Sequence, residues 1–252
     1  MDFQMVMYVV IFLYGIVIGS FLNVCIFRIP EGKSVVTERS HCMTCGYKLK
    51  WYDLFPVFSY LFLRGRCRQC GEKISVWYPV IETVNGLLWV ITFNRFGFSA
   101  DMILACFLIS ALLVLSVIDW HTYEIPFGIN IFIGILGIIR VIFHYDIWYE
   151  YVIGFFVVSA VLYIIFVVSN GAAIGGGDVK LMAAAGLVLG WKYIIPAFIL
   201  GCAYGSVIHI LRMKISGKDH VLAMGPYLSA GIVTALWFGE SIIDWYLAYC
   251  GI

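Results

Sequence analysis

Residues 101–126 read DMILACFLISALLVLSVIDWHTYEIP, an uncharged apolar run from Met102 to Ile118 that ends on a lone carboxyl, Asp119, and a proline, Pro126. A bilayer asks this of a spanning helix, roughly 20 mostly apolar residues. An ionisable carboxyl at bilayer depth costs a few kcal/mol or more, so such a group marks a proton path, an ion site or a catalytic pair. A second one follows in Gly175-Gly176-Gly177-Asp178-Val179-Lys180, again beside a backbone break and again opening an apolar segment. Two carboxyls placed in this way read as one shared site.

The rest of the chain fits the same solvent. Its 252 residues are 63% hydrophobic and 12% charged, with a mean hydropathy of +0.97, which excludes a soluble globular domain. The 20-residue ruler puts spans at 4–26, 76–94, 101–119, 127–143, 149–169, 179–190, 194–211 and 226–247. Residues 4–26 lack a basic n-region and a small-residue cleavage site, so they read as the first span rather than a signal peptide.

The net charge of +1 is uninformative because sidedness matters more than the sum. Nine of the sixteen Lys and Arg residues lie between Arg28 and Lys73, and Arg212, Lys214 and Lys218 lie between the last two spans. The positive-inside rule makes both loops cytoplasmic. Fusing 179–211 into one helix would carry the second group outside, so a break is expected at Trp191-Lys192. Eight spans then put both aspartate loops on the cytoplasmic face at one depth. Non-helical backbone there is tolerated only in protein or beside water, which implies a wet pocket.

Within the first basic loop, Cys42-Met43-Thr44-Cys45 and Cys67-Arg68-Gln69-Cys70 form two C-x-x-C pairs separated by twenty-one residues. Paired thiolates two residues apart grip one face of a tetrahedral ion, and two pairs close a structural four-thiolate zinc site. Gly46 and Gly71 follow the pairs and allow each turn to fold its N–H groups towards sulfur. Two disulfides are the alternative, disfavoured by the reducing cytoplasm. Metal would hold together a loop too polar to build a core. His41 is a spare ligand type beside four sufficient thiolates, and Cys25, Cys106, Cys202 and Cys250 read as packing residues. The expected fold is thus an all-α polytopic membrane protein of about eight transmembrane helices with a small cytoplasmic zinc-binding loop domain.

Two carboxyls sharing a site cannot both ionise easily, so one keeps its proton. That arrangement suits aspartic proteolysis, the ionised member drawing a proton from water and the protonated one polarising the peptide carbonyl. The same carboxyls would serve a proton- or cation-coupled transporter or channel. A third reading, Asp178 and Lys180 capping a helix near the headgroups, explains Asp178 but not Asp119.

The ordered motifs resemble the type IV prepilin peptidases, membrane aspartic peptidases of the G-x-G-D class. The resemblance runs through Gly19-Ser20-Phe21-Leu22-Asn23-Val24 with Arg28 and Pro30, the four cysteines, and Tyr78-Pro79 with Glu82. It continues through Asp119 with Ile125-Pro126, through Gly175, Gly177, Asp178 and Lys180, and ends at Gly225-Pro226-Tyr227-Leu228.

The resemblance implies a peptidase of the bacterial inner membrane, working on its cytoplasmic side. Such an enzyme removes the basic leader of prepilins and pseudopilins, with Asp119 and Asp178 as catalytic pair. It also implies methylation of the new N-terminus from S-adenosylmethionine, a peptidase without that activity being the alternative. Gly19, Asn23, Glu82, Gly175, Gly177 and Lys180 are the expected substrate or cofactor contacts. The implied division is a first transmembrane helix at 1–26, a cytoplasmic four-cysteine zinc-binding domain at 27–75 and a peptidase core at 76–252. Expected partners are the prepilin substrates and the lipid bilayer, with no nucleic acid; the oligomeric state is not legible.

The chain departs from the family pattern at His121 and Phe127, where many members carry acids. Glu124 is then the only spare carboxyl of that loop and reads as a surface residue. Glu82 is expected to face the bundle, paired with Arg28 or Lys180 or lining the substrate cleft. His209 reads as an interfacial polar residue, and Trp51, Tyr52, Trp77 and Tyr78 as interfacial aromatics at headgroup depth.

Overall fold

The computed structural model describes residues 3–216 and 222–251; Lys218, one of the charges used above, lies outside them. Among the described residues ten α-helices follow in order: α1 (Phe3–Arg28), α2 (Phe58–Phe62), α3 (Trp77–Phe96), α4 (Ala100–Thr122), α5 (Phe127–Phe143), α6 (Trp148–Val157), α7 (Ser159–Val168), α8 (Gly176–Leu189), α9 (Trp191–Ser216) and α10 (Gly225–Cys250). The only extended pairing among the described residues is two isolated bridges, both in the cysteine loop.

Helices occupy all eight apolar stretches, but only four segments among the described residues are both long and apolar enough to cross a membrane. These are Gln4–Arg28, Ala100–Thr122, Tyr145–Val168 and Trp191–Ile215. The difference has physical causes. The 14 residues of α8 rise only about 21 Å against a hydrocarbon core of about 30 Å. Glu82, Asn85 and Arg95 dilute α3, and Glu240 and Asp244 dilute α10. The break between α8 and α9 falls at Gly190, whose φ of +76° is glycine's own region. Pro126 is the residue before α5 rather than in its first turn. The chain is an integral membrane protein by these helices.

The chain falls into two compact units, Met1–Ser110 and Ala111–Ile252. In the first, α1 packs on α3 through Gly15 and Gly19, a small-xxx-small pair of the kind that lets membrane helices approach closely. A Cβ on Gly15 would lie 2.7 Å from the Gly86 Cα, and one on Gly19 2.7 Å from the Glu82 Cα. A buried polar chain reinforces the seam. Asn85 Nδ2 donates to the Gly15 carbonyl at 2.8 Å, Ser110 Oγ to Asn85 Oδ1 at 2.9 Å, and Trp89 Nε1 to Ser110 Oγ at 3.0 Å. In apolar surroundings every such group needs a partner, which fixes the helices' register.

In the second unit α8 is the hub, packed against α5, α6, α7 and α9, while α9 and α10 form a close pair. Leu181, Met182, Ala185 and Val188 are fully buried along α8. Gly186 meets Gly154 of α6 so closely that neither could carry a side chain. A short helix held from several sides is the scaffold on which Asp178 stands.

Candidate active site and metal centre

Asp119 is carried inward by periodicity. Leu112, Leu115 and Asp119 recur at the +3 and +4 steps of one helical face, and all three are buried, Asp119 at 4% exposure. Its Oδ2 accepts the Gly225 N–H at 2.8 Å. Gly225 opens α10, where the first N–H groups lack intrahelical partners and the helix dipole favours an anion. No side chain fits at 225: an added Cβ would lie 2.8 Å from Asp119 Oδ2 and 2.9 Å from Leu115 Cδ2. Pro at the next position leaves the first turn intact.

Asp178 stands in the first turn of α8, half-buried, with its own N–H on the Gly175 carbonyl at 3.1 Å. Its carboxylate folds back over the helix start, so a Cβ on Gly175 would lie 3.1 Å from Oδ2. A Cβ on Gly177 would lie 2.9 Å from the Ile125 Cβ, whereas one on Gly176 meets only the edge of Phe166 at an ordinary 3.5 Å. This is the steric content of G-x-G-D. The outer glycines let the carboxyl curl back and let α8 ride on the loop that follows Asp119, and the middle position is free to vary. The turn that carries Asp178 is thereby seated on the loop that follows Asp119.

The loop between them is tightly turned. Tyr123 takes φ +56° and donates its N–H to the Asp119 carbonyl at 2.9 Å. Glu124 is exposed. Lys180 is exposed too, its ammonium 4.9 Å from the centre of the Phe127 ring, as expected of a residue two positions from Asp178 on a helix. One turn into α5, Asn130 is 4% exposed, and neither its nitrogen nor its oxygen has a hydrogen-bond partner among the described residues.

Gly19, Asn23 and Glu82 belong to the first unit and are engaged there. Gly19 is the close-approach point against Glu82, and Asn23 Nδ2 donates to the Tyr78 carbonyl at 3.1 Å. Glu82, 7% exposed, accepts the Val57 N–H at 2.7 Å. The expected ion pair with Arg28 does not form, because the Arg28 guanidinium is spent on the Ser34 and Glu38 carbonyls at 3.1 and 2.9 Å.

The four cysteines converge. Their sulfurs lie within 4.8 Å of one another, with Cys42 to Cys70 at 3.8 Å and Cys45 to Cys67 at 4.0 Å, and all four are free thiols. An ion bound tetrahedrally at about 2.3 Å from each sulfur would set the sulfurs roughly 3.8 Å apart. The two halves are one structure repeated 25 positions on. His41 bridges Lys48 as Arg66 bridges Lys73, and the Cys42 N–H meets the Tyr47 carbonyl as the Cys67 N–H meets that of Glu72. Gly46 and Gly71 donate to the Cys42 and Cys67 carbonyls at 2.9 Å with φ of +71° and +73°. Backbone N–H groups of Cys45 and Thr44 bring the Cys42 thiol down to about 6, towards the thiolate a metal needs, while the Cys70 thiol, despite the Glu72 N–H, is pushed up to about 12 by burial and its neighbouring sulfurs. His41 turns away to the Arg39 carbonyl.

Asp53 ties the segment between the knuckles to the second one. It accepts Arg68 Nε at 2.7 Å, and the Lys50 N–H and Tyr47 hydroxyl at 3.2 Å each. Burial pushes its carboxyl up, but these donors outweigh it and hold Asp53 below the usual carboxylate range.

Three contacts escape a reading of the sequence: the Gly225 N–H on Asp119, Ile125 under Gly177, and the Val57 N–H on Glu82. The first has a usable signal, a Gly-Pro pair opening a helix, which is a ready anion site. The other two involve main chain or an ordinary aliphatic side chain and carry none.

The Bacterial Peptidase A24 N-terminal domain family matches residues 13–96, and the Type IV leader peptidase family matches residues 106–210. A Bacillus subtilis protein named prepilin leader peptidase/N-methyltransferase is 35% identical over 243 residues, covering 94% of this chain and 97% of its own length. Proteins of the same name from Myxococcus xanthus and Legionella pneumophila are 35% and 29% identical over 216 and 273 residues. They cover 83% and 96% of this chain, and 64% and 95% of their own lengths. No solved structure gives a significant match. On the strength of these matches the chain belongs to the type IV leader peptidase family.

Proposed function

We propose that the chain cleaves the leader from prepilins and prepilin-like proteins with Asp119 and Asp178 as acid–base pair, and then methylates the new N-terminal amine. The observation that carries the reading is that the glycine turn holding Asp178 packs on the loop that follows Asp119, whose own carboxyl is held by the first N–H of α10. The ionised member takes a proton from water as its oxygen bonds to the scissile carbonyl carbon. The protonated member hydrogen-bonds the carbonyl oxygen, and a proton reaches the leaving amine as the C–N bond breaks. Because Gly225 occupies Asp119 Oδ2, the other oxygen of that carboxyl is the one free for water or substrate. Gly175 and Gly177 keep the approach to the pair low. The unpartnered amide of Asn130 supports a water-accessible pocket, since a buried polar group left alone is costly.

The shared name of the relatives extends the reading to N-methylation, with S-adenosylmethionine supplying the methyl group. The Cys42, Cys45, Cys67 and Cys70 thiolates would hold a structural zinc, which suits four sulfurs at these separations. The charge distribution supports eight spans in the bacterial inner membrane, with aspartates and metal loop on the cytoplasmic side. The test is purified enzyme mixed with a prepilin and S-adenosylmethionine in detergent, where no gradient exists, read by mass spectrometry. A product lacking the leader and 14 Da heavier at its N-terminus (the mass of about one methylene) is expected, and an unmodified prepilin would refute the reading. Cleavage without the added mass would remove the methyltransferase alone.

A further inference from the structure

The segment joining the two knuckles is tied back to α3. Val57 takes φ +60°, a conformation a β-branched residue adopts only when held, and its N–H is held by Glu82 at 2.7 Å. Glu82 lies five residues inside α3, about 7.5 Å along the axis from its start. The chain therefore folds back beside the first turns of α3 rather than standing away from it.

Around that tie the segment turns apolar side chains outward. Trp51 is 79% exposed, Leu61 65% and Phe62 85%, with Leu54, Phe55 and Phe58 exposed beside them. Trp51, Phe55, Phe58, Phe62 and Arg68 line a shallow hollow of about 310 Å³. A contiguous patch of this kind is not left to water. Its flanks are basic: Lys48, Lys50, Arg64, Arg66 and Arg68 surround the single acid, Asp53, which is buried and neutralised by Arg68 at 2.7 Å.

The geometry points to residues 51–62 as an interfacial anchor that seats α2 and its neighbouring aromatics in an anionic lipid leaflet, with the flanking Lys and Arg on the headgroups. Depth, outward apolar rings and basic borders are together the signature of a segment lying in the interface. Glu82 then fixes how deep the anchor sits, and the cysteine knuckles at either end are pinned to the bilayer surface. The inference stands whichever reaction the aspartates perform.

The test uses the full chain in nanodiscs of phosphatidylglycerol and phosphatidylcholine, with a benzophenone amino acid replacing Phe62 or Phe55, and Met43 of the first knuckle as an equally exposed control (83%). Lipid-mass adducts at 55 and 62 should exceed those at 43 by about tenfold, as expected when only the former reach acyl chains. Equal labelling at the three positions would overturn the proposal. So would labelling at 55 that S-adenosylmethionine abolishes, which would make the hollow a methyl-donor pocket. As a second readout, Leu61→Asp with Phe62→Asp should speed trypsin cleavage at Arg64 and Arg66 in the nanodisc by about tenfold, since local protection follows burial. Unchanged proteolysis, with the parent already cleaved, would also overturn it.

Discussion

The cysteine knuckles and the aspartate pair are built by opposite routes. Each knuckle closes within about ten residues, and the second repeats the first hydrogen bond for hydrogen bond. The pair is assembled from the end of α4, the start of α8 and the start of α10, with the Gly225–Asp119 contact spanning 106 positions. A site that local turns can make is fixed by residue spacing. A site that needs three helices is fixed by how closely those helices approach, and there glycines do the work that ligand spacing does in the knuckle.

The comparison breaks first at the carboxyls. Asp119→Asn or Asp178→Asn should lower leader cleavage by about 10²–10⁴-fold, the range of a lost acid or base, while the protein still inserts and still binds its metal. Next come the glycines. Gly177→Ala pushes α8 off Ile125 and Gly225→Ala drives a methyl group onto Asp119, and each should cost about 10²-fold in turnover, as misplacement near 1 Å does. Gly176→Ala should be nearly silent, because its Cβ has room. Equal losses at 176 and 177 would sever the link between helix approach and activity.

The knuckles should respond differently. Cys42→Ser and Cys67→Ser should each abolish binding of about one metal equivalent, to the same degree because the halves are equivalent. Cleavage should stay within about tenfold of the parent, since a structural metal holds a fold and not the reacting atoms; metal analysis beside the cleavage assay reads both. The smallest effect is expected at Gly46→Ala and Gly71→Ala. Nothing lies within 4 Å of either added Cβ, so each carries only the left-handed backbone penalty of about 1 kcal/mol, visible as faster metal loss to a chelator.

The same contrast explains what is legible in the sequence. The C-x-x-C pairs, Asp119 and Asp178 announce themselves, because a ligand set or a charge in an apolar run is a local pattern. The 25-residue repeat of the knuckles is hidden because only its cysteines, glycines and lysines recur, while Tyr47 stands opposite Glu72 and Thr44 opposite Gln69. Charge pairing predicts a cation for Glu82, and its partner is instead a main-chain N–H, which leaves no trace in the charges. The α8 segment reads as a span by composition, yet its 14 residues are shorter than a full crossing, and the close contacts of Gly177 and Gly186 that seat it show only in the packing. Gly175 and Gly177 are visible as a motif, but the Cβ contacts that require them depend on Ile125 and on the curl of Asp178.

The central claim is that Asp119 and Asp178 act as one unit. It is tested most directly by leader-cleavage rates of the two single Asn variants and the Asp119→Asn/Asp178→Asn double variant, measured on the same prepilin in detergent. Groups that act together are strongly non-additive, so the double variant should be no slower than either single one. Losses that multiply in the double variant, or a single variant that still cleaves at the parent rate, would contradict the account.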